Sequence, residues 1–142
     1  MPNSNAVKNV SGRCLCGGVR YEASAVRRQL VHCHCESCRR AVGGVWQATR
    51  ALRGDLTIED DGCLAWYRSS EKARRGFCGR CGASLFFDHD DRTTMGIAAG
   101  TIDQPSGLEL AADIHVDDAA DYEIVSDAVP SFGDGRHGIV YP

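Results

Sequence analysis

His32-Cys33-His34-Cys35-Glu36-Ser37-Cys38-Arg39-Arg40 places three cysteines and two histidines within seven residues. Core packing does not ask for that density. A free cysteine often packs as a small hydrophobe, but three thiols in six positions serve a metal ion better than a core. The Cys-x-Cys-x2-Cys spacing brings Cys33, Cys35 and Cys38 to one ion, with the first pair leaving a strand end and the third returning one turn later. Zinc takes four protein ligands in a structural site, but three plus an exchangeable one in a catalytic site. The cluster is therefore locally one ligand short. His32 and His34 share the face of an extended segment opposite the cysteines, so neither is expected to complete it.

Two further cysteine pairs flank this stretch. Upstream, in Cys14-Leu15-Cys16-Gly17-Gly18, the alternation of an extended chain puts both thiols on one side, and the glycines let the backbone bend around an ion. Downstream, Phe77-Cys78-Gly79-Arg80-Cys81-Gly82 reads as a zinc knuckle whose glycines leave backbone N–H groups free to donate to thiolates. If Cys14, Cys16, Cys78 and Cys81 meet at one ion, they make a closed four-thiolate site that contributes folding free energy directly. Spacing alone also allows the knuckle to pair with the central cluster instead. Cys63 stands alone after Asp61-Gly62 and is expected as a packed thiol.

The rest of the chain reads as short strands. Val19–Glu22 alternates as a half-buried strand, and Leu30–Cys33, Val45–Thr49, Leu56–Glu59, Leu64–Arg68, Ser84–Phe87, Thr94–Ala99 and Leu108–Val116 follow. Glu36–Val42 is expected to make one or two helical turns, capped by Ser37 or Glu36 and ended by Gly43-Gly44. Trp46 and Trp66 are expected in the core. The fold class is mainly β, a single domain over residues 12–125, with a loose polar tail at 1–11 and a C-terminal tail at 126–142.

Composition narrows the function classes. The chain of 142 residues suits one domain. A net charge of −3 offers no basic excess for nucleic acid, and no apolar run approaches the roughly 20 residues of a membrane span. The first eleven residues lack the apolar core of a signal peptide. With no secretory signal, eight closely spaced cysteines point to metal binding in a reducing, cytoplasmic setting rather than to disulfides. A zinc dication with three thiolates carries about −1, which suits a further soft ligand such as a thiol better than it suits activation of water. Arg39 and Arg40 would offset that charge and receive the carboxylates of an anionic ligand. Of Arg74 and Arg75, at least one is expected in solvent.

Taken together, Gly12-Arg13-Cys14-Leu15-Cys16-Gly17-Gly18-Val19-Arg20-Tyr21, Cys33-His34-Cys35-Glu36-Ser37-Cys38-Arg39-Arg40, Tyr67-Arg68-Ser69-Ser70 and Phe77-Cys78-Gly79-Arg80-Cys81-Gly82-Ala83-Ser84-Leu85 resemble the glutathione-dependent formaldehyde-activating enzymes. That grouping also takes in centromere protein V. The resemblance runs from about Gly12 to Val116. It implies a β-tent fold of small antiparallel sheets around two zinc ions per chain. The structural zinc would sit on Cys14, Cys16, Cys78 and Cys81, and the catalytic zinc on Cys33, Cys35 and Cys38. It also implies glutathione as co-substrate and formation of S-(hydroxymethyl)glutathione from formaldehyde, a carbon–sulfur lyase reaction. The competing expectation is a non-enzymatic zinc-stabilised binding module, which a fourth protein ligand at the central cluster would mark. One departure stands near the C-terminus. Many relatives carry a His-Ile-aromatic-Val run followed by Pro-Trp, where this chain has Asp113-Ile114-His115-Val116 and Ala120-Asp121-Tyr122.

Overall fold

The computed structural model describes residues 5–136, 138 and 139. Among them the chain forms two sheets and one α-helix. Strands β1 (Ala6–Arg13), β2 (Val19–Arg27) and β5 (Leu56–Asp60) make a three-stranded antiparallel sheet in the order β1-β2-β5. The larger sheet has seven strands. Its members are β3 (Gln29–Cys33), β4 (Trp46–Leu52), β6 (Leu64–Arg68), β7 (Ala73–Cys78), β8 (Ser84–His89), β9 (Thr94–Ala98) and β10 (Glu109–Ile114), in the order β10-β3-β4-β9-β8-β7-β6. All its neighbours pair antiparallel except β10 and β3, which run parallel. The mainly-β expectation holds, with one sheet larger than expected and mixed in direction.

The large sheet has two apolar faces, because successive side chains on a strand point to opposite sides. Phe86 and Ile97 face one core, with Val19, Tyr21 and Ala23 of β2 packed over them. Phe87 and Ala98, their immediate neighbours, face a second core with Val31, Trp46, Ala112 and Ile114. The first core is where the sheets meet, and Tyr21 lies edge-on to Phe86 with ring centroids 5.4 Å apart. The approach there is close: a side chain at Gly12 would collide with the Tyr21 ring and the Thr101 carbonyl. Trp46 is buried, as expected, while Trp66 is half-buried and stacks on Phe86 at 6.2 Å.

Two expectations need correction. The segment expected as a loose tail up to Ser11 forms β1 from Ala6 and pairs with β2, Val10 opposite Ala23 and Gly12 opposite Tyr21. Its polar residues hid the strand, since only Val7 and Val10 reach the core and Asn9, at φ 52°, interrupts the alternation. The C-terminal tail also packs back. Ser131 bridges to Asp113, and the Phe132 N–H donates to the Asp113 carbonyl at 2.9 Å. Residues 1–4, 137 and 140–142 of the two expected tails lie outside the described residues.

The helix α1 (Glu36–Val42) begins where β3 ends. Its cap is neither Ser37 nor Glu36 but Cys35, whose Sγ accepts from the Cys38 N–H at 3.3 Å. Gly43 closes it in the left-handed region at φ 77°, its N–H donating to the Arg39 carbonyl at 2.8 Å. Among the described residues no helix is long and apolar enough to cross a membrane.

Candidate metal centres

The β1–β2 hairpin carries Cys14 and Cys16, the last residue of β7 is Cys78, and the turn after it carries Cys81. Their four sulfur atoms lie within 4.8 Å of one another. Cys14 Sγ is 3.6 Å from Cys16 Sγ, and Cys16 Sγ is 3.7 Å from Cys78 Sγ. Four thiolates placed tetrahedrally at about 2.3 Å from an ion stand about 3.8 Å apart, so the group fits a metal. Backbone donors are already aimed at the sulfurs: Val19 N–H to Cys14 at 3.3 Å, Gly18 N–H to Cys16 at 3.4 Å and Cys81 N–H to Cys78 at 3.4 Å. Arg80 Nε donates to Cys16 Sγ at 3.3 Å. The hydrogen bond from the Gly18 N–H and then that from Arg80 pull the Cys16 thiol down to about 6, which favours the thiolate a metal needs. Because the hairpin belongs to the small sheet and the knuckle to the large one, this group ties the sheets together.

The second group is Cys33 at the end of β3, Cys35 at the helix cap and Cys38 in the first helical turn. Their sulfurs also lie within 4.8 Å of one another, and no fourth side chain joins them among the described residues. Hydrogen bonds among the three thiols raise Cys33 and lower Cys35, the sulfur that the Cys38 N–H faces. Cys63 belongs to neither group. It packs against the first core near Gly18, as its lone position led us to expect.

His34 sits between two of these cysteines yet turns away from them. It is 3% exposed, with Nε2 2.7 Å from Asp113 Oδ1 and Nδ1 3.2 Å from Glu123 Oε1. His32 Nδ1 lies 3.5 Å from the same Asp113 oxygen, and its Nε2 is 2.8 Å from Gln47 Nε2. Both histidines are thus engaged away from the sulfurs, on the face opposite the cysteines, as the alternation predicts.

The three sulfurs open on a cavity of about 240 Å³. Trp46, Phe87 and Ile114 form its apolar wall, and His115 lines it with its backbone left-handed at φ 54°. Arg75 reaches in from β7. Its Nη2 donates to Ser37 Oγ at 3.1 Å and to Cys38 Sγ at 3.5 Å, and its guanidinium lies 4.9 Å from the Phe87 ring centroid. Arg75 Nε is buried with no hydrogen-bond partner among the described residues. Arg27, Arg50 and Arg92 line the same cavity. Arg40 instead pairs with Glu36 at 2.9 Å and lines a larger neighbouring groove of about 550 Å³ that shares Ser37, Trp46, Ser69 and Arg75 with the cavity. The Arg39 charge acts on Glu123, on the histidine side.

The glutathione-dependent formaldehyde-activating enzyme profile matches residues 9–118. The chain belongs to this family. A Schizosaccharomyces pombe protein named as an uncharacterized lyase is 28% identical over 111 residues, covering 78% of this chain and 80% of the yeast one. A Rhodobacter sphaeroides protein of known crystal structure has the same fold, with a TM-score of 0.60 at 22% identity over 85% of this chain and 98% of that one.

Within this member of the family, the residues that reading the sequence did not assign are mostly charged. Arg80 had a signal, its place between the two knuckle cysteines. Arg74 and Arg75 fall on opposite sides of β7, and neither is simply solvated. Arg74 pairs with Asp88 at 2.9 Å and lies over Trp66, while Arg75 goes to the cluster. Asp113, Glu123, Arg27 and Arg50 carry no local signal at all.

Proposed function

We propose that the protein is a zinc-dependent enzyme of the carbon–sulfur lyase type. It joins a small anionic thiol, glutathione foremost, to formaldehyde as S-(hydroxymethyl)glutathione. The observation that carries this reading is the incomplete ligand set of the central cluster: three sulfurs that open on a cavity, against four at the other site. Family membership and the lyase name of the yeast relative support the reaction class. A non-enzymatic binding module would want a fourth protein ligand at Cys33, Cys35 and Cys38, and both nearby histidines are engaged elsewhere. Free thiols at both sites suit a reducing compartment such as the cytoplasm.

Cys33, Cys35 and Cys38 hold the catalytic zinc, and Cys14, Cys16, Cys78 and Cys81 the structural one. Zinc at the central cluster supplies a position for a soft donor and lowers the pKa of a thiol bound there. Arg75 offsets the negative charge of the three thiolates and lines the cavity on which they open. The wall of Trp46, Phe87 and Ile114 limits water, so charges in the cavity act at lower effective dielectric. The reaction balances without an oxidant. The thiol sulfur forms the new bond to the formaldehyde carbon, the carbonyl π pair moves to oxygen, and the thiol proton ends on that oxygen.

Calorimetric titration of the zinc-loaded protein tests the reading. Glutathione is expected to bind at least about tenfold more tightly than S-methylglutathione, a difference of about 1.4 kcal/mol. Cys35→Ala should abolish that difference. Equal affinity for the two ligands in the wild type would mean that the thiol makes no contact at the cluster.

A further inference from the structure

We propose that Arg27, Arg50 and Arg92 form an oxyanion subsite that holds a carboxylate of the thiol substrate. The inference rests on the reading of Cys33, Cys35 and Cys38 as the place where the thiol binds, because the three arginines line the cavity on which those sulfurs open.

The first observation is that, among the described residues, these cations are given no carboxylate partner. Several other arginines of the chain do pair with carboxylates: Arg20 with Asp61, Arg53 and Arg74 with Asp88, Arg68 with Asp90. Arg27 is 2% exposed, yet its Nε donates only to a neutral acceptor, the Gln29 carbonyl at 2.8 Å. Arg50 Nη1 donates to the hydroxyl of Thr94 at 3.3 Å. Among the described residues no carboxylate acts on Arg27, Arg50 or Arg92. Burial first, and the Arg92 charge second, push Arg27 down to about 10 and Arg50 down to about 9. Packing like charges together out of water is unfavourable unless an anion comes to meet them.

The second observation is the arrangement. Arg27 is buried, Arg50 half-buried and Arg92 exposed, so the three step outward from the protein interior. They also line an outer opening together with Arg136. Asp91, which lines that opening too, is taken by Lys72 Nζ at 2.8 Å. Guanidinium groups present paired N–H donors that match the two oxygens of a carboxylate. A ligand with a thiol at one end and a carboxylate at the other would meet the cysteines and the arginines within one cavity.

Calorimetry on the zinc-loaded full chain separates this proposal from the reading it rests on. The ligands are glutathione, its diethyl ester with a free thiol and masked carboxylates, S-methylglutathione, and sulfate. The diester is expected to bind at least about tenfold more weakly than glutathione. Arg50→Gln and Arg92→Gln should each weaken glutathione by about tenfold and leave the diester unchanged. Without ligand, both variants should melt at or above the wild-type temperature, since each removes one repelling charge. Glutathione and diester affinities within about twofold, or variants that melt lower with unchanged affinity, would overturn the subsite. Sulfate binding as tightly as glutathione would assign the arginines to a free oxyanion and overturn the tethered carboxylate. If instead glutathione and S-methylglutathione bind alike and both weaken in Arg50→Gln, the subsite stands and the thiol reading falls.

Discussion

Cys81→Ala is expected to leave the chain unfolded or aggregated at 25 °C. The four-sulfur group brings the small and large sheets together and would tie them through the proposed zinc, and two of its members, Cys14 and Cys78, are 1% and 0% exposed within the core where those sheets meet. Structural zinc contributes roughly 10 kcal/mol or more to small metal-dependent domains, while the net stability of a domain is only about 5–15 kcal/mol. Removing one ligand also leaves Cys14, Cys16 and Cys78 with unbalanced thiol and thiolate groups beside a buried core. Nothing else in the knuckle replaces the lost sulfur, because Cys63 sits outside the group. Circular dichroism melts and zinc content of purified Cys81→Ala check this. A cooperative melt near the wild-type temperature would show that the sheets hold together without the ion.

Asp113→Ala should be the next most damaging change. Asp113 is 2% exposed, and its Oδ1 meets His34 Nε2 at 2.7 Å and His32 Nδ1 at 3.5 Å. The substitution leaves a ring nitrogen of His34 buried without its partner, at a cost of about 1–3 kcal/mol for the unsatisfied group. It also opens a small void where β10 pairs with β3. A loss of about 2–3 kcal/mol corresponds to a melting point about 10 °C lower. The effect should spread to the metal, because His34 lies between Cys33 and Cys35 and the Asp113 contact fixes that turn of chain. Weaker zinc retention in chelator competition is therefore expected alongside the lower melting point. A stable variant with wild-type zinc retention would mean that the cluster does not depend on this contact.

The cysteine spacings made much of the site legible. Cys-x-Cys before a Gly-Gly turn, Cys-x-Cys-x2-Cys at a strand end and the knuckle each dictate a local geometry, but spacing left open which pairs meet, and the fold joins the knuckle to Cys14 and Cys16 rather than to the central three. The helix over residues 36–42 was legible from its Gly-Gly stop, whereas its cap was not, since a cysteine rarely plays that part. Strand β1 was hidden by its own polarity: Lys8, Asn9 and Ser11 are tolerated because β2 supplies the pairing. The parallel pairing of β10 with β3 depends on a return across most of the chain, which no local pattern encodes. The same distance hides the charged surroundings. His34 meets Asp113 and Glu123 across 79 and 89 positions, and Arg27, Arg50 and Arg92 come from three separate segments. Arg39 and Arg40 were the natural choice from proximity in sequence, yet a helix turns neighbouring residues to different sides. The arginine beside Cys38 comes from β7 instead.

The central claim is that the chain carries two zinc sites of unequal role, one closed and structural, the other open and chemical. Counting zinc by mass spectrometry of the native protein, with the melting temperature taken on the same samples, tests it most directly. The wild type should carry two zinc ions per chain, and Cys35→Ala one, with the melting temperature lowered by only a few degrees for the lost helix cap, because its site ties no sheets together. A single zinc in the wild type, or a collapse of Cys35→Ala as complete as that of Cys81→Ala, would contradict the division.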